Sequence, residues 1–88
     1  MTVHLLIKGK VQGVFYRASA VDVAAQLGIK GWIRNTMEGD VEALASGDEQ
    51  NIREFIEWCN KGPRRADVKQ VIVTARSEET FSGFRLVR

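Results

Sequence analysis

The stretch from Val3 to Leu27 limits this chain more than any other. Val3, Leu5 and Ile7 alternate with His4, Leu6 and Lys8, the period of a strand. Ala20, Val23, Ala24 and Leu27 then recur at helical spacing, and Gly28 supplies a stop. That helix is rich in small residues, which suits close packing on a sheet. Between strand and helix lies Gly9-Lys10-Val11-Gln12-Gly13-Val14-Phe15-Tyr16-Arg17, a tight loop flanked by glycines and closed by an arginine.

The rest of the chain continues the alternation of strands and helices. Lys30 to Thr36 reads as a second strand, and Met37-Glu38-Gly39-Asp40 is a hairpin signal. Val41, Ala43 and Ala45 alternate after it. Asp48 is positioned as an N-cap for a second helix, whose apolar stripe is Ile52, Phe55, Ile56 and Cys59. Gly62 and Pro63 end that helix. Val68 to Ala75 and Phe81 to Val87 read as two further strands. The order predicts an α/β (α+β) sandwich, the ferredoxin-like split βαββαβ pattern. Its sheet is antiparallel-rich, both helices lie on one face, and a short C-terminal strand is added. The 88 residues form a single domain, 1–88.

Topology then brings distant residues together. In a β-α-β crossover the two strands run parallel, so their C-terminal ends share one edge. Gly9 to Arg17 follows the first strand, and Gly31-Trp32-Ile33-Arg34-Asn35-Thr36 ends the second. The loop and the Asn35 amide can therefore face one pocket.

The loop has the makeup of an anion site. Glycine allows close backbone approach, successive amides can converge on one oxyanion, and a helix N-terminus adds favourable partial charge. Arg17 offers a fork of donors that matches phosphate or carboxylate oxygens. Glycine spacing alone does not separate this reading from an ordinary turn.

Composition excludes several classes. The chain is 44% hydrophobic and 27% charged, which argues against disorder. Its net charge of +2 suits a small anion without demanding nucleic acid. Arg64 and Arg65, after Gly62-Pro63, read as solvated, with a peripheral lure for anions as the sharper alternative. No apolar run is long enough to span a membrane, and Met1-Thr2-Val3-His4 does not open a signal peptide. The lone Cys59 rules out an internal disulfide. Together these features predict a reducing, cytoplasmic setting.

The chain resembles the acylphosphatase family at two signatures. The family's first reads Gly-x-Val-Gln-Gly-Val-x-Phe-Arg, matched by Gly9 to Arg17 with Tyr16 where phenylalanine is usual. The second is matched by Gly31-Trp32-Ile33-Arg34-Asn35, then Gly39-Asp40-Val41, then Gly47. The likeness extends to Gly62-Pro63 and to Phe84-Arg85-Leu86. It implies hydrolysis of acyl phosphates to carboxylate and inorganic phosphate. It implies that Arg17 binds the phosphoryl group and Asn35 positions the attacking water. Amides around Gln12, Gly13, Val14, Phe15 and Tyr16 would cradle the phosphate oxygens. It further implies no metal or cofactor, and a small cytoplasmic monomer whose partner is the acyl phosphate itself, with no nucleic acid and no membrane. The alternative is a non-catalytic phosphate-binding or protein-interaction module of the same fold. The added hydroxyl of Tyr16, if buried, requires a hydrogen-bond partner.

The remaining chemistry-bearing residues read as structural. His4 alternates with the apolar face of its strand, and Cys59 lies on a core stripe, a poor place for a nucleophile. Glu38, Asp40 and Asp48 fall in a turn and a cap, and Trp32 and Trp58 read as packing. No set of His, Cys and carboxylates has metal-ligand spacing. Single-stranded RNA binding would need aromatic residues on two central strands, and His4, Leu6, Lys8, Glu42, Leu44 and Ser46 supply none.

Overall fold

In a computed structural model, which describes residues 1–87, the chain forms five strands and two helices. They follow one another as β1 (Thr2–Lys10), α1 (Tyr16–Gln26), β2 (Lys30–Asn35), β3 (Val41–Ser46), α2 (Glu49–Lys61), β4 (Asp67–Arg76) and β5 (Phe84–Leu86). The strands make one sheet in the order β4-β1-β3-β2-β5. Strands β4, β1, β3 and β2 pair antiparallel with their neighbours, and β5 adds to β2 in parallel. Because β1 and β2 are each antiparallel to β3, they run in the same direction, as the crossover argument requires. This is the predicted ferredoxin-like sandwich.

Register sorts the side chains. Val3, Leu5 and Ile7 stand opposite Ala45, Ala43 and Val41 on one side, and opposite Ala75, Val73 and Val71 on the other. Successive residues of a strand face opposite sides, so these form one apolar face. Both helices cover it: Ala20 and Ala24 of α1, and Ile52, Phe55 and Cys59 of α2, join Leu5, Ile7 and Ile33 in one buried cluster. The other face carries His4, Leu6, Trp32, Arg34, Glu42 and Leu44. None of the helices in the described residues is long and apolar enough to cross a membrane.

Two strand ends and one cap depart from the sequence pattern. Strand β1 continues to Lys10 because β4 pairs with it as far as Asp67, across a register shift at Lys8/Gly9. Strand β5 is confined to Phe84–Leu86, the residues that lie beside Gly31, Trp32 and Ile33 of β2. Asp48 occupies the N-cap of α2, yet its side chain forms no capping hydrogen bond.

Candidate active site

The segment between β1 and α1 is pinned from below. Val11 and Val14 are buried in the core, as is the Tyr16 ring that opens α1. Gln12 fixes the loop sideways: its Nε2 donates to the carbonyls of Thr36, at 2.9 Å, and of Asp40, at 2.7 Å. Both carbonyls belong to the β2–β3 turn, which is closed in turn by Thr36 N–H donating to the Asp40 carbonyl at 2.9 Å. Lys8 Nζ adds an ion pair to Asp40 Oδ2 at 2.7 Å. Gly13 takes a φ of 75° and Phe15 a φ of 64°, so the chain turns left-handed twice before the helix begins.

The result is a helix N-terminus that faces outward. An α-helix leaves its first-turn N–H groups without intrahelical partners, and the macrodipole gives that end positive character. No side chain among the described residues caps α1, and its first turn carries no acidic residue. Arg17, in that first turn, is partly buried and forms no ion pair among the described residues. Positive potential from the guanidinium and the helix end therefore converges at this point.

A cleft of about 280 Å³ lies against it, lined by Gly13, Phe15 and Arg17 from the loop and helix and by Asn35 from the end of β2. Tyr16 also borders the cleft, with Val11, Ala18 and Leu86. Asn35 sits opposite Val41 in the β2–β3 register, which places it on the helix-covered face of the sheet. Its Oδ1 is buried with no hydrogen-bond partner among the described residues. Buried polar atoms are nearly always paired, so an open acceptor beside a cleft marks a place for a donor. Arg17 and Asn35, distant in sequence, thus border one cavity.

Gln12 and Val14 do not line the cleft. Their side chains hold the loop, the first by hydrogen bonds and the second by packing. Sequence reasoning missed Leu86, because the parallel pairing of β5 with β2 that delivers it has no local signature. It also missed the outward ring of Phe15, since a left-handed phenylalanine has no sequence signal of its own.

The groups assigned structural roles lie elsewhere. His4 Nε2 is 2.6 Å from Glu42 Oε2, on the sheet face away from the helices. Cys59 is fully buried, and burial pushes its thiol up to about 12, so the thiolate is scarce at neutral pH. Tyr16 finds the partner its hydroxyl requires, donating to the Cys59 carbonyl at 2.7 Å. Burial raises its pKa far above the ordinary phenol value, so it stays a neutral donor. No cluster of metal-ligating side chains occurs among the described residues.

Comparison with known proteins identifies the family and agrees with the fold. The sequence profile of the Acylphosphatase family matches residues 3–86. An acylphosphatase of Trichormus variabilis is 43% identical over 86 residues, covering 98% of this chain and 85% of the relative. The solved structure of an acylphosphatase from Coxiella burnetii superposes with a TM-score of 0.94 at 38% identity, covering 98% of this chain and 90% of that one. That of acylphosphatase from Bacillus subtilis gives 0.95 at 32% identity, covering 99% and 98%. The chain belongs to the acylphosphatase family.

Proposed function

We propose that the protein hydrolyses acyl phosphates to a carboxylate and inorganic phosphate, with Arg17 and the loop preceding α1 holding the phosphoryl group and Asn35 aiming the water. The observation that carries this reading is the shared cleft. A guanidinium, a helix N-terminus and the Asn35 Oδ1, none with a side-chain partner among the described residues, border one cavity. The first two suit the negative oxygens of a phosphoryl group, and the third suits a water that must donate a hydrogen bond.

The reaction asks little else of the protein. Phosphoryl transfer passes through a loose transition state, so catalysis is mainly positioning and charge stabilisation. Guanidinium and backbone N–H groups stabilise charge on the equatorial oxygens. Water accepted by Asn35 Oδ1 attacks phosphorus in line with the departing acyl oxygen. A new O–P bond forms, the P–O bond to the acyl group breaks, and its electron pair leaves with the carboxylate. A carboxylate is a weak base, with an ordinary pKa of about 4, and departs without a general acid. The proton lost by water goes to a phosphate oxygen of the substrate. No metal or cofactor enters this scheme. We place the protein in the cytoplasm as a monomer, a setting that suits its single, buried thiol.

Hydrolysis of benzoyl phosphate by the purified protein in the presence of a chelator tests the proposal. Activity is expected, with inorganic phosphate as a competitive inhibitor. Arg17→Ala should lower turnover by about 10³-fold or more and weaken phosphate inhibition, and Arg17→Lys should not restore it, lacking the planar fork. Asn35→Ala should lower kcat by about 10²-fold with phosphate inhibition nearly unchanged. A protein that binds phosphate but does not hydrolyse would be the non-catalytic module instead.

A further inference from the structure

The cleft has a second character beside its anion-binding side. Phe15 stands at it with 73% of its surface exposed, in a left-handed conformation of φ 64° and ψ 24°. Bulky side chains seldom adopt that backbone, and such strain concentrates at functional positions. The core does not need this ring, because Val11, Val14 and Tyr16 already fill the space beneath the loop. Leu86 reaches the same cleft from β5 with 43% of its surface exposed. Val11 and Ala18 extend the apolar lining, and Arg17 is the only charged side chain among the described residues that line it.

We propose that Phe15 and Leu86 form an acyl subsite that selects acyl phosphates with an apolar acyl group. The proposal rests on the assignment of Arg17 and Asn35 to the phosphoryl end. A guanidinium occupied by the scissile phosphate leaves no other cation among the described lining residues for a second anionic group on the acyl portion. Exposed aromatic and aliphatic surfaces lining one cleft gain instead by burying hydrocarbon. The left-handed turn at Phe15 directs its ring outward while the neighbouring residues anchor the loop.

Straight-chain acyl phosphates test this directly. Acetyl, butyryl and hexanoyl phosphate carry equally basic leaving groups, so a trend in kcat/KM along the series reports contact with the chain. A fully buried methylene is worth about fourfold in affinity, and a half-exposed wall should give about twofold per methylene. The wild-type protein should therefore prefer hexanoyl to acetyl phosphate by about tenfold or more. Phe15→Asn retains a residue that tolerates the left-handed turn and removes the ring. That variant and Leu86→Ala should each flatten the slope. The slope is internal to each variant, so a variant that is slower overall still answers. A flat slope in the wild type, or a slope kept in both variants, overturns the subsite while leaving the hydrolase assignment intact. Failure of the wild type to hydrolyse any of the three overturns that assignment and the subsite with it.

Discussion

Cys59 carries a carbonyl that α2 cannot satisfy, because the residue four positions on is Pro63, which has no N–H. The Tyr16 hydroxyl donates to that carbonyl at 2.7 Å, from the first turn of the other helix. Gly62 makes room for it: at a φ of 71°, a Cβ there would meet the Tyr16 ring at 3.0 Å. One hydroxyl therefore closes the end of α2 and anchors the start of α1, where Arg17 follows. The phenylalanine usual in the family would leave the carbonyl unpaired in this chain. Tyr16→Phe should lower unfolding free energy by about 1–2 kcal/mol in urea denaturation. Turnover at saturating substrate should change by less than about threefold, since the hydroxyl faces the core and not the cleft. A variant as stable as the wild type would show that the carbonyl finds another donor.

At the scale of elements, the site is a joint between the β1–α1 loop and the β2–β3 turn. Gln12 makes that joint with its two hydrogen bonds to Thr36 and Asp40 carbonyls. Arg17 lies on one side of it and Asn35 on the other. A displacement of about 1 Å at a reacting centre can cost on the order of 10²-fold in rate. Gln12→Ala should lower kcat about tenfold while phosphate inhibition changes little, because the guanidinium and helix N-terminus remain. Gln12→Glu should be worse than alanine, because it points a carboxylate at two carbonyl oxygens. Steady-state kinetics with phosphate as inhibitor separate these effects, and equal kcat in all three proteins would remove Gln12 from the alignment. The motif made the loop legible as a candidate anion site. The structure adds that its glutamine side chain ties the loop to the β2–β3 turn.

Across the whole molecule, the two faces of the sheet divide the work. The face away from the helices holds Glu42 between His4, at 2.6 Å, and Arg34 Nε, at 2.8 Å, with Arg34 also lying over the Trp32 ring. The hydrogen bond to His4 chiefly, with Arg34 behind it, holds the Glu42 carboxyl below its ordinary 4.5. A carboxyl lowered in the folded state stabilises above its unfolded pKa, and that contribution is lost as pH falls through the folded value. The stability difference between wild type and Glu42→Gln should be present at pH 6 and shrink toward pH 3 in urea denaturation. It should be small, since Arg34 is about half exposed and solvent screens the pair. A difference that grows toward pH 3 would reverse the sign argued here. Element order, the facing of β1 and β3, and the meeting of Arg17 with Asn35 at one edge were all legible in residue order. They follow from local periodicity, turn chemistry and the handed crossover, which act over short spans of chain. The bond from Tyr16 to Cys59, the docking of β5 that brings Leu86 to the cleft, and the outward turn of Phe15 were settled by packing. Each depends on which distant surfaces come into contact, and no short segment encodes that.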